Sequence, residues 1–337
     1  MRKAPTPDQW RQLYSLGIKI RTMEPWNEFQ DLDIITIEIP NKKEPYFCSV
    51  LGAGGKCFGI NTFVGYEGLR NFLSIVDSEC YIPMDYIMVE QSNLACFFGD
   101  KEMIPVEQKN ILKDLGLKFR GKNKWIYFQS YKKGHMPSPL DRDEVDVLLI
   151  CLKELINAIK DYKKYGLTLD FQAGDVLVRR FYKDKGQWRT TREELIQYLY
   201  GYPSLVLKDE LLAAKLKKRP RDEEVLEFDM IYLKISIEDE RKERPIRPKL
   251  ILIVDHYDGL IKGQSFFMPE DDEIQVIMEL FINYIMEYGR PREVYIRNPF
   301  IENILKDTCD ICGVKLIMKE SLEVVDAFMD DFEVLGF

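Results

Sequence analysis

The spacing of hydrophobic residues predicts an α+β domain over residues 1–165. A capping-box pattern at Thr6 and Gln9 predicts that a helix begins at Pro7, because apolar residues follow it at helical spacing. Alternation of apolar and polar residues next predicts short strands, at residues 33–39, 46–51 and 57–63. Asp141 caps a long helix whose apolar stripe indicates that it packs into a core and closes this domain.

The next stretch, residues 166–222, is predicted to be a helical connecting segment. It contains two short strand-like runs, and Thr191 with Glu194 predicts the start of a helix. A further helix is expected to end in a basic run over residues 215–221. Cations suit the end of a helix, so this run is either a solvated helix end or a contact for phosphate or RNA.

The last part, residues 223–337, predicts the element order β-β-β-α-β-α-β-α. Apolar runs indicate five strands, and apolar stripes at helical spacing indicate three helices. Gly289 ends the first of these helices and Pro291 blocks its continuation, whereas Ser321 caps the last one. A meander of three strands followed by two crossovers predicts an α/β domain.

This element order resembles ribonuclease-H-like folds, which include the catalytic cores of integrases and transposases. Asp229 lies in the first strand, where integrase cores carry their first catalytic aspartate, and Asp255 ends a segment similar to their second strand. Asp326 lies in the last helix, where the third carboxylate would be. The resemblance therefore implies a nuclease or another phosphoryl-transfer enzyme, in which Asp229, Asp255 and Asp326 would hold Mg²⁺ or Mn²⁺.

The sequence departs from that pattern at the second aspartate. Arg297, followed by Asn298, stands there and brings a permanent positive charge into a site for cations. We therefore expect an Asp229–Arg297 ion pair in place of the metals. The hypothesis we favour is a non-catalytic binding or scaffold protein without metal or cofactor, whose degenerate ribonuclease-H-like domain recognises a protein or a nucleic acid. The candidate binding residues are Arg297, Asn298, Lys217, Lys218 and Arg219.

The whole chain also resembles a family of bacterial proteins made of paired domains of unknown function. The matching segments are Pro25-Trp26, residues 48–52, 65–69 and 128–139, and the stretch from Gly289 onward. This resemblance implies a bacterial cytosolic protein and carries no activity with it. A role as a host-defence or toxin-associated module with a partner encoded nearby is a further alternative.

Composition narrows the remaining classes of function. With 48 Lys and Arg against 56 Asp and Glu, the net charge of −8 argues against a protein that coats nucleic acid by bulk charge, although a local basic patch is still allowed. No apolar run reaches the ~18 residues needed to cross a bilayer, and the N-terminus lacks the apolar stretch of a signal peptide. We therefore expect a cytoplasmic protein with no membrane partner.

Cysteine and histidine offer little material for chemistry. The seven cysteines are an odd number, and most lie in apolar stretches, which is typical of reduced thiols packed in a core. The pair Cys309 and Cys312 has no second pair beside it and ends a predicted helix, so we interpret it as structural. With only His135 and His256, a catalytic triad or a histidine-rich metal site is not expected.

Overall fold

The computed structural model describes residues 2–76, 81–196, 201–238 and 244–334, with side chains as far as residue 331. The chain divides into two units. The first contains residues 1–72, 91–132 and 137–200. The second contains residues 73–90, 133–136 and 201–337. No described helix has the length and apolar character that crossing a bilayer requires.

The regular elements follow one another in a mixed α/β order. The helices are α1 Pro7–Met23, α2 Gly65–Leu73, α3 Met84–Val89, α4 Val106–Asp114, α5 Arg142–Tyr165, α6 Glu210–Lys217, α7 Glu273–Tyr288, α8 Pro299–Cys312 and α9 Glu323–Val334. The strands are β1 Ile35–Glu38, β2 Tyr46–Leu51, β3 Phe58–Val64, β4 Asn93–Gly99, β5 Trp125–Tyr131, β6 Asp175–Tyr182, β7 Gln187–Glu194, β8 Val225–Tyr232, β9 Lys249–Asp255, β10 Ile261–Phe267, β11 Glu293–Ile296 and β12 Lys315–Met318.

The first unit is a mixed sheet with helices packed on it. Its strand order is β5-β4-β3-β2-β1-β6-β7, in which β1 and β6 are parallel and the other neighbours are antiparallel. The capping box predicted at Thr6 and Gln9 is present and begins α1. Asp141 and Glu144 form a second one that begins α5. These caps satisfy backbone N–H groups that a helix start leaves unpaired, so both helix starts were readable from sequence.

The structure differs from the predicted helical connecting segment over residues 166–222. Strands β6 and β7 occupy residues 175–194 of that stretch and form an edge of the first sheet. Thr191 lies inside β7, directly opposite Val178 of β6, and does not cap a helix. Cross-strand pairing, including Phe181 against Trp188, outweighs the local resemblance of this sequence to a helix start.

The second unit contains the predicted succession of strands and helices from β8 to α9. Its sheet has the order β10-β9-β8-β11-β12, with antiparallel pairing from β10 to β8 and parallel pairing from β8 to β12. One apolar core lies on the face that α6, α7 and α8 cover. A smaller core lies on the opposite face, where Val325 of α9 packs against Leu252 and Val254 of β9. The two faces therefore offer different surroundings to side chains that alternate along each strand.

Candidate functional site

A cluster of ion pairs around the buried Arg297 joins three elements of the second unit. Asp229 lies within β8, Arg297 directly follows β11, and Asp326 is in the first turn of α9. Arg297 donates one hydrogen bond from Nε to Asp229 Oδ2 and one from Nη1 to Asp326 Oδ1, each with a donor–acceptor distance of 2.7 Å. Asp229 and Arg297 are 2 % and 4 % exposed. The structure thus contains the ion pair that the sequence predicts, with Asp326 as a second acceptor for the same guanidinium.

A second carboxylate of β8 holds the start of α9. Glu227 Oε2 accepts hydrogen bonds from the backbone N–H groups of Val324 and Val325, each at a distance of 3.0 Å. Its other oxygen lies 2.7 Å from Nδ1 of His256. A carboxylate suits the positive end of a helix dipole, so Glu227 fixes the position of this helix on the sheet. Asp229 does the same through Arg297 and Asp326.

Asp255 lies on the opposite face of the sheet from Asp229. In an antiparallel pair, residues directly opposite each other point to the same face. Asp229 pairs with Leu252, which belongs to the core under α9, whereas Asp255 pairs with Leu226, which belongs to the other core. Asp255 Oδ1 instead accepts hydrogen bonds from the backbone N–H groups of Tyr257 and Asp258 in a tight turn, at distances of 2.8 and 3.1 Å. The structure therefore brings Asp229 and Asp326 together but leaves Asp255 apart.

The electrostatics of the cluster suit a guanidinium better than a divalent cation. Burial raises the pKa of Asp229 to about 6, and the attraction of Arg297 offsets only part of that rise. A metal would have to displace Arg297, whose charge and forked donors already occupy both carboxylates. Across the described residues, no three His, Cys, Asp or Glu side chains are arranged to hold a metal ion.

The other predicted binding residues have separate positions. Asn298 caps α8, since its Oδ1 accepts a hydrogen bond from the backbone N–H of Phe300 at a distance of 3.0 Å. Lys217 ends α6 and is exposed, as is Lys218, whereas Arg219 is half-buried. These cations lie on a different part of the second unit's sequence from the Arg297 cluster, and no described hydrogen bond joins the two groups.

The second unit also contains a buried charged cluster that the sequence did not predict. Lys249 is 3 % exposed. Its Nζ donates hydrogen bonds to Glu90 Oε1 at 2.5 Å and to Glu273 Oε1 at 2.6 Å. Lys133 Nζ lies 3.3 Å from Glu90 Oε2 and 3.0 Å from Glu273 Oε2. Two ammonium groups therefore share two carboxylates, and the set is neutral.

Aromatic rings enclose this buried cluster. Tyr86, Tyr232 and Phe267 have ring centroids 4.8–5.3 Å from Lys249 Nζ, close enough for cation–π attraction. The hydroxyl of Tyr232 also donates a hydrogen bond to Glu90 Oε1 at a distance of 2.6 Å. Burial alone would raise the pKa of Glu90, but the lysines outweigh it and lower that pKa to about 2. A lysine that opens the apolar strand β9 was the only sequence signal for the cluster, because Glu90 is far away along the chain.

The described cysteines do not form a reactive site. Cys309 and Cys312 are free and buried in α8, and burial raises the pKa of both thiols. A raised pKa opposes the thiolate that metal binding or disulfide exchange needs. The structural interpretation of this pair is consistent with that environment. Cys80 lies outside the described residues.

Comparisons with known proteins give two family matches and one distant structural similarity. Residues 10–179 match the model described as Domain of unknown function (DUF7309), and residues 212–333 match Domain of unknown function (DUF6930). No curated protein matches the chain. One similar solved structure is a cryo-EM structure of the simian T-cell lymphotropic virus intasome in complex with PP2A regulatory subunit B56 gamma, at 12% identity and a TM-score of 0.25. The alignment covers 35% of this chain and 44% of that one, and a similarity so low carries no argument.

Proposed function

The chain belongs to the family of the domain of unknown function DUF7309, matched over residues 10–179, and from this premise we propose that it is a non-catalytic recognition protein. In this proposal, residues 223–337 form a ribonuclease-H-like domain whose metal site has been replaced by the Arg297 ion pairs. The domain recognises a protein or a nucleic acid and does not cleave it.

The sheet of the second unit supports the assignment of this fold. Numbered along the unit, its strands have the order 3-2-1-4-5, with the first three antiparallel and the last two parallel. The helices α7 and α8 follow the third and fourth strands, and α9 follows the fifth. This is the arrangement expected of a ribonuclease-H-like domain. Such a fold hosts many functions, so the activity depends on the residues of the site.

The observation that carries the proposal is the position of Arg297. Two-metal phosphoryl transfer needs carboxylates that converge on cations about 4 Å apart. Here the carboxylates of Asp229 and Asp326 converge on a guanidinium, and Asp255 is on the other face of the sheet. The alternative of a Mg²⁺- or Mn²⁺-dependent nuclease would require Arg297 to leave and another acid to take its place. The geometry favours recognition over that alternative.

A nuclease assay tests the proposal. We expect the wild-type protein to leave single-stranded RNA, single-stranded DNA, duplex DNA and an RNA–DNA hybrid intact in the presence of Mg²⁺ or Mn²⁺, because the described residues contain no set of carboxylates arranged to hold the ions. Asp229→Asn serves as the matched control, since it removes the central carboxylate with little change in shape. Metal-dependent cleavage by the wild type that disappears in Asp229→Asn would contradict the proposal.

We also propose that the protein is cytoplasmic. The supporting observation is that the described cysteines, from Cys48 to Cys312, are free thiols, and all of them except Cys57 are buried. Reduced, buried cysteines are typical of a reducing compartment.

A further inference from the structure

A basic surface lies where α6 ends and the chain approaches β8. We define it as the side chains of Lys215, Lys217, Lys218, Arg219, Arg221 and Arg290. Arg290 joins the others because a β-bridge pairs it with Arg221. The backbone N–H of Arg290 donates a hydrogen bond to Pro220 O at 2.8 Å, and its side-chain Nε donates one to Arg219 O at 2.9 Å. The pairing therefore sets cations from two distant parts of the sequence side by side.

Within the described part of the chain, these six cations lack acidic partners. Nowhere in the described ranges does a carboxylate form an ion pair with any of them. Among the described hydrogen bonds, the side chain of Arg290 donates to the main-chain carbonyl groups of Arg219 and Cys312. The Nε of Arg219 is sealed from solvent and has no acceptor. Elsewhere in the protein, buried arginines such as Arg179 and Arg297 are bound by carboxylates. The basic surface is therefore a group of cations that form no ion pairs with described carboxylates, on a chain whose net charge is −8.

Gly289 maintains the close approach that builds the surface. Its φ of +112° is one that side chains rarely tolerate, and a Cβ there would lie 2.7 Å from Pro220 O. A side chain at this position would push residues 219–221 away from Arg290. The local sequence is thus compatible with the paired arginines only because residue 289 is glycine.

We propose that the basic surface binds the phosphate backbone of a nucleic acid. Guanidinium groups match phosphate oxygens in charge and in the spacing of their donors, and the lysines add attraction that does not depend on base sequence. An acidic protein partner is less well matched, because protein interfaces have an apolar centre. Leu216, the large apolar side chain among the cations, is buried, and the exposed Leu211 lies at the other end of α6. This inference rests on the proposed function and names the partner that the second unit recognises.

Fluorescence anisotropy with labelled oligonucleotides tests this inference. Single-stranded RNA, single-stranded DNA and duplex DNA of equal length are the probes, and they separate the three sources of a phosphate backbone. We expect binding that weakens with salt, with a slope of log K against log salt of about −3 on a single strand if four phosphates are contacted. The double variant Lys217→Glu/Arg221→Glu should bind at least tenfold more weakly. Its slope of log K against log salt should also be smaller in magnitude.

A matched variant separates the surface from net charge. Lys109→Glu/Lys113→Glu reverses two exposed cations of α4 and changes net charge by the same amount, so it should bind within about twofold of wild type. Circular dichroism checks that each variant is folded.

Three results would overturn the inference. These are no binding of any probe at low salt, equal loss in both charge-reversal variants, and equal competition by polyglutamate. None of these results alters the proposed non-catalytic function, which fails only if the bound probe is cleaved in the presence of Mg²⁺ or Mn²⁺.

Discussion

Replacement of Lys249 by methionine is expected to lower the free energy of unfolding by about 3–5 kcal/mol. The change keeps most of the side-chain volume but removes the ammonium group that lies within 2.6 Å of both Glu90 and Glu273. The two carboxylates then keep Lys133 but lose the buried ammonium group that binds them both. Urea denaturation followed by circular dichroism measures the effect.

The control for this variant is Lys163→Met. Lys163 pairs with Glu28 at the surface, where the two side chains are 43% and 39% exposed, so its loss should cost less than about 1 kcal/mol. A double variant Lys249→Met/Glu90→Gln should lose less than the sum of its single changes, because it removes charges of both signs together. If Lys249→Met costs no more than Lys163→Met, the buried cluster does not stabilise the fold as described.

Replacement of Arg297 by methionine is expected to cost about 3 kcal/mol at neutral pH and less in acid. It leaves the buried carboxylate of Asp229 without its counter-ion and releases Asp326 of α9. A raised folded-state pKa means that the stability linked to Asp229 is fully present below its ordinary value of 3.8 and is lost as pH rises through about 6. Removing Arg297 raises that pKa further, so the gap between wild type and variant should widen as pH rises above 6.

Chemical denaturation at several pH values checks this expectation. Arg11→Met is the control, because Arg11 pairs with Asp8 where both side chains are well exposed, and its removal should cost less than about 1 kcal/mol at any pH. Arg297→Lys should recover only part of the loss, since an ammonium cannot reach two carboxylates with the fork of a guanidinium. A pH-independent cost for Arg297→Met would contradict the account of the Asp229–Arg297 pair.

Much of the fold follows from local signals in the sequence. The capping residues Thr6 and Asp141 begin α1 and α5 because a polar side chain there satisfies free N–H groups whatever the rest of the chain does. In the second unit, periodicity predicted the strands and helices in their order, since each strand and helix has its own clear pattern. Prediction failed around Thr191, where pairing with the preceding strand β6 outweighs the helix-start pattern.

The candidate site was predictable only in part. The Asp229–Arg297 pair followed from a resemblance that set these positions on neighbouring strands, and the structure contains it. The separation of Asp255 depends on strand register, because a shift of one residue would move it to the other face. The Glu90–Lys249 cluster joins residues 159 positions apart, a contact that no local pattern signals.

The central claim is that Arg297 occupies the position that metals would need. Isothermal titration calorimetry with Mn²⁺ and Mg²⁺, on wild type and on Asp229→Asn, tests this claim most directly. The account predicts no specific heat of binding in either protein, because the carboxylates of Asp229 and Asp326 are already bound to the guanidinium. Stoichiometric metal binding by the wild type that is lost in Asp229→Asn would contradict it.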